Sequence, residues 1–284
     1  MLPPNLIWIA NAFPQLSNIS PLAQGGQKLV FCADHPSDGD VVLKIIHPSQ
    51  DPESVRREIL AVQRIGSARV PRILDVGQIS TPMGQSIWIR EQRIIGTTLR
   101  QRLQNGPLTI NELLELGVQT LEALAEAERN NIVHRDVKPE NIMVDANGNY
   151  WLLDFGISRH LSMSPLTPQT LPFGKFTLGY APPEQLRNVQ SEIDCRADLF
   201  ALGITFYEAA TGRNPFRYGA ANELEILRRV ENDALPPLVL PCLAAGSLTD
   251  LIRAMTQKRR DHRPASVEEA LIWMKEISDA QSTP

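Results

Sequence analysis

The chain has 284 residues, 43% of them hydrophobic and 21% charged, with a formal net charge of −4 at pH 7. This length allows one large two-lobed domain or two smaller ones, and the composition is ordinary for a soluble globular protein. A net negative charge provides no basic surface for nucleic acid or for an anionic membrane. We therefore expect neither as a partner.

The cysteines and the N-terminal segment indicate the compartment. Cys32, Cys195 and Cys242 lack the spacing of a metal site or a redox pair, and a sparse, odd count favours a reducing environment. The opening MLPPNLIWIANAFPQL has no basic n-region, and no run approaches the roughly 18 apolar residues that a membrane span needs. The sequence predicts a cytoplasmic protein and leaves its oligomeric state open.

The first part of the chain alternates short β-branched runs with turns. These runs predict strands at 28–33, 41–46 and 86–91. A single helix is predicted between the second and the third, with its start marked by Asp51 and Pro52 and its apolar face by Val55, Ile59, Val62 and Ile65.

Helices dominate from residue 97 onward. Thr109 and Glu112 form a capping-box pattern, after which one face is apolar at Leu114, Val118, Leu121 and Ala125. A helix over roughly 196–211 is apolar nearly all round, which predicts burial, and Gly212 ends it. The pattern predicts an α+β architecture with the following parts: an N-terminal extension at 1–15, a small β-rich lobe with one main helix at about 16–95, a hinge near 91–96, a larger α-rich lobe at about 97–277, and a tail at 278–284.

Two motifs contain the residues with recognisable chemistry, HRDVKPEN at 134–141 and LLDFG at 152–156. An isolated HRD is more often an ordinary loop, but the two motifs at this spacing are specific. They resemble the catalytic loop and the metal-binding motif of eukaryotic-type (Hanks-type) serine/threonine protein kinases, closest to the compact bacterial members. The resemblance covers about residues 20–277 and implies a bilobal kinase fold. It also implies transfer of the ATP γ-phosphoryl group to serine or threonine hydroxyls of protein substrates, including the chain itself.

The resemblance assigns the catalytic groups. Phosphoryl transfer needs charge neutralisation and a positioned nucleophile more than covalent help from the protein. Asp136 is expected to hold the incoming hydroxyl and accept its proton, and Lys138 to neutralise the γ-phosphate. Asn141 and Asp154 offer the hard oxygen ligands that Mg²⁺ prefers. ATP and Mg²⁺ are the implied cofactors.

The small lobe is expected to hold the nucleotide. Lys44 matches the strand lysine that binds the α- and β-phosphates, and Glu58 matches its ion-pair partner, although Glu53 lies nearby. The phosphate-covering loop, G-x-G-x-x-G-x-V in the family, aligns with 23–30 and keeps one of its three glycines. In that loop, Ala23, Gly25 and Gly26 are expected at the nucleotide. The apolar residues expected around adenine are Leu22, Val30, Val42 and Met143, and each of these four also suits plain core packing.

The large lobe contains the family's docking segment, here TLGYAPPE. By resemblance, Thr177 is expected to hydrogen-bond near Asp136 and Lys138. Glu184 is expected to form a buried pair with Arg263 that supports the fold and takes no part in catalysis.

The resemblance also implies supporting roles around the catalytic loop. Asp198 is expected to hold the loop's backbone, and His134 and Phe155 to serve as packing residues. Arg135 precedes the catalytic aspartate, where such kinases use an arginine to clamp a phosphorylated residue, here Thr170. The alternative is that the hydroxyls of this Ser/Thr-rich segment are merely solvated.

Two departures from the family pattern leave a second function open. The glycine loop is eroded, and the polar run Arg90–Arg93 stands where an apolar gatekeeper is usual. Both features suit a pseudokinase that binds nucleotide as a signalling scaffold. A small-molecule phosphotransferase is disfavoured because such enzymes lack the docking segment, and a P-loop NTPase is excluded because no G-x-x-x-x-G-K-[ST] occurs.

Overall fold

The computed structural model describes residues 5–24, 28–48, 52–155, 176–187, 190–240 and 245–282, without the side chains at 23, 24, 52–54, 57, 58, 190, 245 and 282. Contacts between Cα atoms divide the chain into two compact units. The described residues of the first unit lie in 5–64 and 71–94, and those of the second in 65–70, 95–155 and 176–282. Among the described helices, none combines the length and the apolar character required to cross a bilayer.

The first unit is built on a five-stranded sheet in the order β1-β2-β3-β5-β4, with every neighbouring pair antiparallel. Its strands and helices are α1 Leu6–Ala12, β1 Ser17–Gln24, β2 Lys28–His35, β3 Gly39–Ile46, α2 Pro52–Val62, β4 Ile73–Thr81 and β5 Gly84–Gln92. The three strands expected from the sequence are thus confirmed as β2, β3 and β5. β2 and β3 are each two residues longer at one end, and β5 is two residues longer at its start and one at its end.

Helix α1 lies within residues 1–15, which the sequence pattern predicts to be an N-terminal extension. The Asn5 side chain caps it by accepting a hydrogen bond from the Trp8 backbone N–H at 2.9 Å. Ile9 and Phe13 are buried in the same core as β2 and β3, and the Phe13 ring meets Trp88 edge-on with centroids 5.4 Å apart. The segment before β1 therefore closes one side of the first unit's core.

Helix α2 buries Val55 and Ile59 completely, as the helical spacing predicts. It ends at Val62, and Ile65, which the pattern includes, lies beyond that end. The chain tightens there into an i→i−3 hydrogen bond, from the Arg64 N–H to the Ala61 carbonyl at 3.0 Å, and glycine at 66 disfavours a further helical turn.

The second unit is mainly helical and contains a three-stranded sheet in the order β6-β7-β8. Its elements are β6 Gly96–Thr98, α3 Leu99–Arg102, α4 Ile110–Arg129, β7 Ile142–Asp145, β8 Tyr150–Leu152, α5 Pro183–Leu186, α6 Cys195–Thr211, α7 Glu223–Asn232, α8 Ala245–Met255 and α9 Val267–Ser282. Helix α9 continues past residue 277, where the sequence analysis begins a tail.

The two strongest helix signals are confirmed. Thr109 and Glu112 form a reciprocal capping box at the start of α4, with the Glu112 carboxylate accepting from the Thr109 backbone N–H at 2.8 Å. Helix α6 is buried nearly all round, as its apolar sequence predicts. Gly212 ends it with a left-handed φ of 74°, a conformation that favours glycine.

Candidate active site

The predicted catalytic residues cluster in the loop before β7. The Asp136 carboxylate accepts a hydrogen bond from the Thr177 hydroxyl at 2.9 Å through Oδ1, and its Oδ2 lies 3.0 Å from the Lys138 ammonium. Lys138 also donates to the Thr177 hydroxyl at 2.8 Å. The expected contact of Thr177 with both residues is therefore confirmed. A carboxylate, an ammonium and a hydroxyl share one polar site, and all three side chains are partly open to solvent.

Asn141 lies against this group. Its side-chain amide nitrogen donates to the Asp136 carbonyl at 2.8 Å and to Asp136 Oδ2 at 3.2 Å. Its backbone carbonyl accepts from the Leu153 N–H at 2.8 Å, which brings the residue before Asp154 alongside Asn141. Because the amide nitrogen is used within the loop, the side-chain oxygen of Asn141 is the atom that suits a hard cation together with Asp154.

Asp198 fixes the backbone of the catalytic loop. From the start of α6, its buried carboxylate accepts hydrogen bonds from the backbone N–H groups of His134 and Arg135, each at 2.7 Å. Arg135 and Asp154 both have left-handed backbones, with φ of 65° and 58°. For residues other than glycine this conformation costs about 1–3 kcal/mol and persists only when neighbours impose it. Two predicted functional residues thus lie at strained positions.

His134 is a buried packing residue, as the resemblance implies. Its Nδ1 accepts from the Asp136 N–H at 3.2 Å, so Nε2 bears the proton and donates to the Leu153 carbonyl at 2.8 Å. The imidazole also packs on Phe155, with ring centroids 4.6 Å apart. It therefore joins the catalytic loop to the strand end that bears Asp154.

The docking segment is tied to the second unit's interior. The Glu184 carboxylate and the Arg263 guanidinium form two hydrogen bonds of 2.6 and 3.0 Å with both side chains buried, so the expected pair is confirmed. The neighbouring Gln185 donates to the Arg135 carbonyl at 2.9 Å. Together with the bond to Asp198, this contact engages both the N–H and the carbonyl of Arg135. No sequence motif indicated the role of Gln185.

A further cluster missed from the sequence surrounds Arg100 on α3. Its guanidinium donates to Glu140 at 2.8 Å, to Glu208 at 2.6 Å and to the Tyr180 hydroxyl at 2.6 Å. Tyr180 donates in turn to Glu208, and burial, followed by the charge of that carboxylate, raises the pKa of its phenol. The cluster links the catalytic loop, the docking segment and α6. No motif marks it, because its members are far apart in sequence.

In the first unit, the predicted phosphate-binding lysine lies on β3. Lys44 pairs with Val30 on β2 and with Ile89 on β5 in the strand register, and its ammonium forms an ion pair with Glu91 at 2.5 Å. The pairing of β5 with β3 shows where the first polar residues of the run 90–93 lie. Glu91 is opposite Val42, and Arg90 is opposite Leu43. Arg90 forms its ion pairs with other carboxylates, Asp38 at 3.0 Å and Asp75 at 3.6 Å.

The apolar residues predicted around adenine are distributed over both units. In the first, Val30 is buried on β2, Val42 is partly buried on β3, and Leu22 is 57% exposed on β1. Met143 is partly buried on β7 in the second unit. Their assembly around a base remains a prediction.

Several predicted residues lie outside the described part of the chain. Gly25, Gly26 and Thr170 are among them, and for Ala23 and Glu58 only the backbone is described. Ala23 stands opposite Val30 in the register, and Glu58 lies within α2. The proposed partnership of Glu58 with the strand lysine and the regulatory role of Thr170 stay predictions.

Comparison with known proteins identifies the class. The protein kinase domain model matches residues 17–273, nearly the whole length, and the chain therefore belongs to the protein kinase family. Its two units have the bilobal α+β fold of that family.

Named relatives are bacterial kinases. The chain is 34% identical over 256 residues to the probable serine/threonine-protein kinase PkwA of Thermomonospora curvata, covering 88% of this chain and 32% of that protein. It is 32% identical over 225 residues to the serine/threonine-protein kinase PknB of Mycobacterium tuberculosis, covering 76% of this chain and 35% of that protein. The chain thus spans about a third of the length of these curated relatives.

Proposed function

We propose that this chain is a serine/threonine protein kinase that transfers the γ-phosphoryl group of ATP to hydroxyls of protein substrates. The observation that supports this most strongly is the hydrogen-bonded group of Asp136, Lys138 and Thr177, with Asn141 against it. A positioned base beside a cation is what phosphoryl transfer requires of a protein. The names of the relatives support serine and threonine as acceptors.

The reaction follows from these contacts. The substrate hydroxyl oxygen bonds to the γ-phosphorus of ATP, and Asp136 accepts the proton of that hydroxyl. The bond between the γ-phosphorus and the β–γ bridging oxygen breaks, and ADP leaves. Lys138, 3.0 Å from Asp136, neutralises charge on the transferred group. Thr177 keeps the base and the cation in fixed relation through its hydroxyl.

The residues present suit a divalent cation. The side-chain oxygen of Asn141 and the carboxylate of Asp154 are hard oxygen donors on neighbouring segments, and they would hold Mg²⁺ together with the nucleotide phosphates. A bound Mg²⁺ would neutralise the phosphate oxygens and orient the γ-phosphoryl group. Lys44 is the residue we expect at the α- and β-phosphates.

Incubation of the chain with ATP and Mg²⁺, followed by mass spectrometry, tests the proposal. We expect mass additions of one phosphoryl group at serine or threonine, and none when the ATP analogue has a non-transferable γ-phosphate. Absence of phosphorylation on the chain and on added protein substrates would reject the kinase and favour the scaffold.

A further inference from the structure

The ion pair between Lys44 and Glu91 is a buried charge pair within the first unit's sheet. The Lys44 ammonium lies 2.5 Å from Glu91 Oε2, and each residue is 8% exposed. Charges this deeply buried cost free energy unless an opposite charge compensates them. Glu91 provides such compensation to the lysine that we assign to the nucleotide phosphates.

The backbone fixes this pair. Strands β3 and β5 are hydrogen-bonded neighbours, with Lys44 opposite Ile89 and Val42 opposite Glu91. Side chains two residues apart on a strand share a face, so Glu91 is the diagonal neighbour of Lys44 on one side of the sheet. The pairing of these two strands therefore places the carboxylate beside the ammonium.

A second charge pair lies on the other face of β5. Arg90, one residue earlier on β5, faces the other side of the sheet and pairs with Asp38 at 3.0 Å. Its side chain is also only 10% exposed. Two ion pairs therefore lie on opposite faces of the same strand, and the one buried on both sides of the pair contains the predicted phosphate ligand.

We propose that Glu91 is a positioning residue for nucleotide binding, whose carboxylate holds the Lys44 ammonium in place for the phosphates from within the sheet. This inference rests on the proposed function. An ammonium has three N–H donors, so a carboxylate on one side is compatible with phosphate oxygens on another. The polar residue at the end of β5 is then part of the phosphate-binding machinery, rather than a sign that the nucleotide site is lost.

The test compares the binding of Mg²⁺–ATP and of adenosine, which lacks phosphates, to the whole chain by calorimetry. Glu91→Gln keeps the shape of the side chain and removes its charge. We expect this variant to bind ATP about tenfold more weakly, the scale of one charge-assisted hydrogen bond, while adenosine affinity stays within twofold. Glu91→Asp, which keeps the charge, should recover part of the ATP affinity.

Two further variants complete the design. Asp38→Asn breaks the neighbouring ion pair on the opposite face, and we expect it to leave both affinities unchanged. Lys44→Met combined with Glu91→Gln should bind ATP no more weakly than Lys44→Met alone, because Glu91 acts through the lysine.

Unchanged ATP affinity in Glu91→Gln, or an equal loss for ATP and adenosine, would overturn the inference. These are binding measurements, so they remain decisive even if the wild-type chain transfers no phosphate. Failure of the wild-type chain to transfer phosphate would count against the catalytic part of the proposed function, whereas unchanged ATP affinity in Glu91→Gln would count against the role of Glu91.

Discussion

Asp136 has both carboxylate oxygens engaged, one by the Thr177 hydroxyl and one by the Lys138 ammonium. Asp136→Asn retains an oxygen acceptor but has no basic site for the proton of a substrate hydroxyl. We expect turnover to fall by about 10²-fold or more, the usual contribution of a general base, with little change in ATP affinity or melting temperature. Steady-state kinetics at saturating ATP measures this. Turnover within a few-fold of wild type would exclude Asp136 as the base.

Asp198 acts on the catalytic loop through two backbone N–H groups at 2.7 Å. Asp198→Ala removes the acceptor of both donors, of which the His134 N–H is buried, at about 1–3 kcal/mol for a buried donor, so we expect a large loss of free energy of unfolding. Asp198→Asn keeps one acceptor oxygen and should lose less. Urea denaturation measures the free energy of unfolding of both variants. Equal stability of the two would contradict the prediction that the alanine variant loses more.

At the scale of elements, Arg263 connects the docking segment to α6 and to the residues that follow α8. Besides its pair with Glu184, it donates to the carbonyls of Arg196, Gln257 and Lys258. Glu184→Gln should cost about 3–5 kcal/mol because it leaves a buried cation without its counterion, and Arg263→Met should cost more because it also frees carbonyls.

An exposed pair on α8 provides the control for that prediction. Arg253 and Asp250 lie 2.9 Å apart with side chains 61% and 62% exposed. Arg253→Gln should change the free energy of unfolding by less than about 1 kcal/mol. If denaturation shows similar losses for Arg253→Gln and Glu184→Gln, the buried pair does not support the docking segment.

The segment after α8 also predicts a pH dependence. Burial lowers the pKa of Lys258 to about 8, and its ammonium lies 4.1 Å from the centre of the Phe216 ring. Between pH 8 and the ordinary lysine pKa of 10.5, the unfolded chain binds more protons at this site than the folded chain. The contribution of Lys258 to the free energy of unfolding therefore rises with pH over this range.

Lys258→Met should remove that rise and stabilise the chain at pH 7. Lys275→Met, at a lysine whose side chain is 49% exposed, should preserve the rise. Denaturation at pH 7, 8, 9 and 10 measures both variants. A parallel pH dependence in wild type and Lys258→Met would contradict the assignment.

Elements with strong periodicity were predictable from the sequence, and those that depend on tertiary packing were not. The capping box of α4 and the apolar α6 are local signals and gave correct helices. Helix α1 has seven residues, too few for a clear period, and its formation depends on burying Ile9 in the first unit's core. The register of β5 was equally inaccessible, because pairing with β3 sets it.

Over the whole molecule, the candidate site was predictable where a motif specifies it. Contacts among Asp136, Lys138 and Thr177 follow from segments that the family resemblance aligns. The Arg100 cluster and the Lys44–Glu91 pair have no motif, since each depends on how separate elements pack. The sequence did contain one signal for the second of these. Arg90 and Glu91 are adjacent charged residues inside the predicted strand 86–91, and the alternation of a strand places one charge on each face.

The proposed transfer of phosphate to serine or threonine depends on Asp136 and the residues around it. Its most direct test uses the Asp136→Asn chain as the substrate of the wild-type chain, with ATP labelled at the γ-phosphate and Mg²⁺. We predict label on serine or threonine of the variant when wild type is present, and none when the variant is incubated alone. Equal labelling of the variant in the absence of wild type, or no labelling in its presence, would contradict the account.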